Sequence, residues 1–403
     1  MAVIYTIGLA LYYLLVRVVG IFSQRARLFI QSRQAPPLIN GSDKALPNLW
    51  IHCASHGEYE TAKPLITRYQ SQFNIHLTFY SPSGYRVAVD ESHYWTTLRY
   101  LAFDHSRKLQ TQIQEIDPDF VIFIQYEYWY YLLKYLSDRS TPYLYYGVQL
   151  DRQHLLTRPY GRFLKDAVNR AQLILTRDSE SQTLGSELFT TQVNEVGDVR
   201  WLQAAATRSE PYQCAYDITR YEQIIVLGSV WLADMQLWTS YIHKHPKTLF
   251  IIAPHDISDQ NVSQISRLLP TPPDIWLDRR GEMLNELTSN LLIVNTLGQL
   301  KYLYRLADLT YIGGGLGSGL HNCLEAAVYN VPILISGDGK SNPEARSLIA
   351  AGMASNVTSG EDLEPIISKL LSTHDKTKAA SYLAAELNKS QQAYRLIDKI
   401  LNV

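Results

Sequence analysis

The chain has 403 residues, 46% hydrophobic and 19% charged, which describes a folded polypeptide long enough for two cores and excludes disordered and collagen-like classes. With 37 Lys and Arg against 38 Asp and Glu the formal charge is −1, so no global basic field points to nucleic acid and any anion site has to be local. Cys53, Cys214 and Cys323 stand far apart and make neither a disulfide framework nor a CxxC metal site.

The first segment departs from that neutral average. No acidic residue precedes Asp43, whereas Arg17, Arg25, Arg27 and Arg33 all do. Met1 to Val16 is uncharged and the apolar run resumes after Arg17 as VVGIF, a stretch of about 22 residues with one charge, close to the length a membrane helix needs. The basic residues follow the apolar run, which disfavours a secretory signal. The expectation is a membrane-anchor helix over 1–23, spanning or lying in the interface, with the rest of the chain on the cytoplasmic side. The 28 tyrosines against 10 phenylalanines suit half-wet apolar surfaces such as clefts and membrane borders.

From Asn48 short β-rich runs alternate with helical stretches: LWIHCA, IHLTFYS, YLAF, FVIFI, YLYYGV and LILT, then IIVLGS, TLFIIAP, LLIVN, LTYIGG and VPILIS. This is the βαβα pattern of parallel sheets covered on both faces, and eleven strands divide naturally into two sets. The expected fold class is α/β with two Rossmann-like domains, 45–203 and 218–385. Polar Ala204 to Tyr221 is the expected linker, and a terminal helix over Ala379–Leu401 supplies the last segment, 386–403. Ligands of such folds sit at the carboxyl ends of the strands, so a two-domain version is expected to place its site in a cleft between the domains.

Two loops carry most of the chemistry. His52-Cys53-Ala54-Ser55-His56-Gly57-Glu58 runs from a strand through small residues into a helix, and puts a carboxylate where it can act as a general base or simply favour the positive helix terminus. The second loop, Gly313 to Glu325, has five glycines in seven residues after the strand LTYI and opens a helix expected to reach about Tyr329. Glycines free backbone N–H groups for a phosphate, and Asn322 and Glu325, three apart, share a helix face that can reach a ribose. Further strand ends of the same domain offer Gly228-Ser229, Pro254-His255 and Asn295 to Gln299, which together line a pocket for a nucleotide-activated donor. Gln125 to Trp129 follows FVIFI at its carboxyl end, leaving Glu127 and Trp129 for sugar binding or packing. Asp117-Pro118-Asp119 precedes that strand and reads as a turn capping it, and the histidines show no HExxH spacing.

These motifs, taken together, resemble the 3-deoxy-D-manno-octulosonic acid (Kdo) transferases of lipopolysaccharide assembly, which have the two-domain GT-B fold. The likeness covers the apolar start, HxxSxGE ending in Glu58, Ser81 to Gly84, Glu127 and Trp129, Gly197-Asp198, Ala253 to His255, Leu297 to Gln299, and His321-Asn322-x-Leu324-Glu325. The resemblance implies transfer of Kdo from CMP-Kdo to a lipid A precursor, lipid IVA, at the inner membrane. It also implies inversion of configuration, no metal or other cofactor, and Glu58 as the base. It places Gln125 and Arg200 where the family has a glutamate and a lysine credited with transition-state stabilisation. The implied donor site comprises Gly228, Ser229, Pro254, His255, Leu297, Gly298, Gln299, Gly314, Gly315, Asn322, Cys323, Leu324 and Glu325. The family's usual arginine, proline, aspartate and glutamate stand here as His255, Cys323, Asn295 and Gln299, so the pocket has shed charge. The motifs leave open the number of Kdo residues added and the oligomeric state. The residues alone also allow a GT-B transferase using another nucleotide sugar, or a non-catalytic membrane-attached binder of sugar nucleotides.

Overall fold

A computed structural model describes residues 2–153, 155–214, 216–276, 286–317, 319–339, 342–358 and 362–403. The chain forms two units, Met1–Gln203 with Leu387–Val403, and Ala204–Glu386.

The first unit is built on eight strands: β1 (Leu38–Ile39), β2 (Asn48–Cys53), β3 (Asn74–Phe79), β4 (Thr97–Tyr100), β5 (Phe120–Ile124), β6 (Tyr143–Val148), β7 (Leu173–Thr176) and β8 (Val193–Glu195). Their order is β1-β4-β3-β2-β5-β6-β7-β8, with β1 antiparallel to β4 and every other pairing parallel. Strands β3, β5 and β6 are buried at every residue, so the sheet is covered on both faces: β5 is a continuous apolar run, whereas β3 also buries the polar Asn74, His76 and Thr78. One face packs Leu49, Ile51, Ile122 and Tyr146 under helix α3 (His56–Tyr69), and the other packs Trp50, Phe123 and Tyr145 under a second layer. Strand order reverses between β2 and β5, the topological switch point of a doubly wound sheet.

The second unit has β9 (Gln223–Val230), β10 (Thr248–Pro254), β11 (Asp274–Ile275), β12 (Leu291–Ile293), β13 (Leu309–Ile312), β14 (Ile333–Ser336) and β15 (Ala354–Val357), all parallel in the order β11-β12-β10-β9-β13-β14-β15. Its order reverses between β9 and β13.

Among the described residues a strand stands at each of the eleven expected places, and four more are found: β1, β8, β11 and β15. These are short members at or next to the sheet edges, with half-polar sequences such as VNE and ASNV that carry no continuous apolar run. Strand β4 ends at Tyr100, ahead of most of the expected YLAF, because its ladder partner β3 ends at Phe79 opposite Tyr100. The expected linker begins inside a helix, Arg200–Ser209. The terminal helix starts earlier than expected, at Lys376, and its Ala393 and Ile397 join the core of the first unit.

Candidate active site and donor-binding loop

In the first unit the switch point gathers a buried acidic cluster. Ser55 caps α3, and Glu58 reaches back so that its Oε2 accepts from the backbone N–H groups of Ala54 and Ser55 (3.2 Å to Ser55). The helix-terminus role and a chemical role are therefore compatible, since both capping bonds fall on one carboxylate oxygen. Glu58 is 8% exposed. Burial first, then the neighbouring Glu127 carboxylate, pushes its pKa up from 4.5 to about 7, against the opposing pull of His52 and the two N–H groups. A carboxylate poised there can take a proton near neutral pH.

Glu127, at the carboxyl end of β5, is also buried, facing His52 Nε2 at 3.0 Å and accepting from Trp129 Nε1. His52 is fully buried on β2 and held from its other side by Thr78, with Nδ1 2.7 Å from the hydroxyl and 3.1 Å from the carbonyl. Trp129 stacks on Tyr80 at 4.9 Å. Gln125 begins this loop in the left-handed region, φ 62°, with its N–H on the Tyr146 carbonyl. Such a backbone costs a non-glycine residue about 1 kcal/mol or more. Arg200 is committed to Asp198: Nε lies 2.9 Å from Oδ1 and a terminal nitrogen bonds Oδ2. Asp198 is buried, which raises its pKa, yet the Arg200 guanidinium holds it below the ordinary value. The cation that the resemblance associates with transition-state stabilisation is thus half of an ion pair. Asp119 accepts from the Asn48 N–H at 2.8 Å, the turn expected at the amino-terminal edge.

The second unit's switch point carries the glycine loop, of which Ser318 lies outside the described residues. Gly313 N–H bonds the Gly228 carbonyl, Gly314 N–H bonds Asp234 Oδ2 at 3.1 Å, and Gly317 N–H bonds Gly314. Several of the N–H groups expected to face a phosphate therefore hold the loop itself. The glycines serve close approach: a Cβ on Gly315 would sit 1.8 Å from the Ser336 carbonyl, and one on Gly228 would sit 2.0 Å from the Tyr304 hydroxyl. Gly315→Ala is accordingly expected to destabilise the protein by about 2 kcal/mol or more, read as a lowered thermal midpoint. The helix after the loop is one turn, Leu324–Ala327, and not the longer one expected, because Asn330 turns left-handed at φ 58°.

Asp234 is the organiser that sequence reasoning missed. Fully buried, it accepts from Tyr311 (2.7 Å), Ser336 (2.8 Å), Trp231 N–H (2.8 Å) and Gly314 N–H. Its available signal was a carboxylate in the first turn of the helix Leu232–Lys244 that follows the strand ending at Val230. Around it the Trp231, His255 and His321 rings stack at 4.6 and 4.5 Å, and Trp231 Nε1 donates to His321 Nε2 at 3.4 Å. Trp can only donate, so His321 is neutral at that nitrogen; burial and the adjacent His255 lower its pKa.

Asn322 precedes the short helix and does not share a face on it as expected, yet it meets Glu325, Nδ2 to Oε1 at 3.2 Å. Ser229, φ 53°, and Pro254 sit at a bulge between β9 and β10. Leu297, 74% exposed, Gly298, φ 82°, and Gln299 form the loop after β12. Cys323 and Leu324 do not fit a ligand-contacting role, since both side chains are buried in the core. Among the described residues no three His, Cys, Asp or Glu gather as a metal site.

Residues 22–203 match the family model of 3-deoxy-D-manno-octulosonic-acid transferase (kdotransferase). The 3-deoxy-D-manno-octulosonic acid transferase of Chlamydia trachomatis serovar A is 23% identical over 384 residues, spanning 90% of this chain and 87% of that one. That of Haemophilus influenzae is 22% identical over 83% of this chain and 82% of its own length. Over most of its length this chain is similar to Kdo transferases, and its residues 22–203 to their family model. Its fold also resembles the UDP-GlcNAc 2-epimerase of Neisseria meningitidis, TM-score 0.57 at 14% identity, covering 87% of this chain and 99% of that one. Two doubly wound units of the GT-B class account for that likeness.

Proposed function

We propose that this protein transfers Kdo from CMP-Kdo to a lipid A precursor, lipid IVA, with inversion and without a metal, as an enzyme attached to the cytoplasmic face of the inner membrane. The observation that carries this reading is Glu58, a buried carboxylate with a pKa of about 7 at the switch point of a unit whose sequence matches the Kdo transferase family model. Glu58 removes the proton of the acceptor hydroxyl as that oxygen forms its bond to the anomeric carbon. The bond from that carbon to the CMP phosphate breaks, and its electron pair leaves with CMP. General-base catalysis of this kind contributes roughly 10²–10⁴-fold. The glycine loop with Asp234 and the His255–His321 stack supplies a donor platform, and Asn322 and Glu325 hold the ribose. A helix exposing an apolar surface fits an acceptor that stays in a bilayer.

Calorimetry with CMP, UMP and UDP tests the donor assignment: CMP is expected to bind tightest, and a clear preference for UDP would favour another nucleotide sugar.

A further inference from the structure

The apolar amino-terminal helix α1 (Ala2–Phe22) has two different faces. Tyr5 donates to Asp104 Oδ2 at 2.8 Å, Thr6 meets the Tyr131 hydroxyl at 2.5 Å, and Tyr13 donates to the Asp104 carbonyl at 3.5 Å while packing on Phe103 at 4.1 Å. Gly20 is buried against Ile30 of the next helix, α2 (Gln24–Ser32), whose Arg27 bonds the Gly20 and Ile21 carbonyls. Residues 5, 13 and 20 share one side of a helix, and 15 residues at about 1.5 Å rise make a contact line of roughly 22 Å. Ile4, Ile7, Leu11, Leu14, Leu15, Val18 and Phe22 fall on the opposite side and are 46–86% exposed. Arg17, also exposed, flanks that stripe.

A helix crossing a bilayer would bring this whole contact line into hydrocarbon. The partner of Tyr5 and Tyr13 is Asp104, a buried carboxylate that also accepts from the Tyr131 and Leu132 N–H groups at 3.0 and 2.9 Å. Tyr5 and Tyr13 hold Asp104 and Gly20 packs on α2, so contacts run from residue 5 to residue 20 and the helix is not fastened at one end only. We propose that α1 does not span the membrane but lies in its plane, docked on the first unit, with the stripe from Ile4 to Phe22 inserted at the acyl boundary of an anionic lipid surface. The partner is identified by charge complementarity: the first 42 residues carry four arginines and no acid, and Arg17 sits beside the apolar stripe where a lipid phosphate would meet it. This inference rests on the membrane attachment proposed above and specifies its geometry.

The test uses the full chain with Cys214→Ser, the two remaining cysteines being buried. Ile4→Cys, Leu11→Cys and Val18→Cys, seven residues apart on the stripe, each receive an environment-sensitive fluorophore. The proteins are bound to vesicles of phosphatidylcholine and phosphatidylglycerol carrying nitroxides at known depths. In-plane docking predicts one shallow depth at all three positions, within about 3 Å, and a spanning helix places position 11 roughly 10 Å deeper than the others. That second profile would overturn the in-plane geometry while leaving membrane attachment intact. Failure to sediment with the vesicles would overturn attachment itself. A stripe shielded from quencher by dimerisation in solution would assign it to a second copy of the chain and overturn the lipid assignment. Leu11→Glu with Leu15→Glu, both at exposed positions, is expected to keep the fold and lower vesicle binding at least tenfold.

Discussion

Glu58→Gln is expected to lower Kdo transfer by roughly 10²–10⁴-fold and to leave CMP affinity unchanged, because the lost proton acceptor lies in the first unit and the donor platform in the second. The wild-type rate should rise with pH through about 7, as Glu58 loses its proton. The same burial carries a stability cost whose sign is fixed. Between pH 4.5 and about 7 the folded protein holds a proton on Glu58 that the unfolded chain has released, so stability falls as pH rises through that window. Glutamine does not titrate. The variant should therefore gain about 1–3 kcal/mol relative to wild type on going from pH 4.5 to 8, read by urea unfolding at the two values. A parallel pH dependence in both proteins would mean that Glu58 is not desolvated as described.

The second large effect is expected at Asp234. Its carboxylate accepts four hydrogen bonds in a fully buried position, and Asp234→Ala leaves the Tyr311 and Ser336 hydroxyls and the Trp231 and Gly314 N–H groups without that acceptor. A loss of about 3–5 kcal/mol in stability follows from the bonds forfeited and the donors left buried. Asp234→Asn keeps the shape but turns an amide N–H₂ toward a ring of donors, so it should recover little. Where either variant still folds, CMP binding should be lost, because Gly314 and Trp231 no longer have a common anchor. Calorimetry at low temperature would show this, and wild-type affinity in Asp234→Ala would contradict the platform.

Much of this architecture was legible in the residues. Continuous apolar runs such as FVIFI and TLFIIAP mark strands buried on both faces, and their alternation with helices dictates a parallel sheet. Short sheet-margin strands such as Val193–Glu195 escaped because their stability comes from a neighbour in the sheet and not from their own sequence. Glu58 was visible because a capping position leaves a local signature. Asp234 was not, since its partners Tyr311 and Ser336 lie 77 and 102 residues away and only the folded sheet brings them together. The glycine loop shows the opposite limit: its composition suggests open N–H groups, whereas close contacts with Ser336, His321 and Asp234 explain why side chains are absent at Gly313, Gly314 and Gly315. The pairing of Arg200 with Asp198 was likewise written two residues away and only became an ion pair once the helix start at Arg200 set its geometry.

The pocket's shed charge takes on a physical form in the fold. Where the resemblance implies a fixed cation, this chain stacks His255 between Trp231 and His321 as a polarisable aromatic surface.

The most direct measurement is mass spectrometry of the products formed by the purified full-length protein from a tetraacylated lipid A precursor and CMP-Kdo generated in situ. Kdo transfer with Glu58 as the base predicts acceptor ions heavier by one or more whole Kdo residues with wild type and essentially none with Glu58→Gln. An unmodified acceptor with wild type, alongside transfer from a UDP-linked sugar under the same conditions, would contradict it.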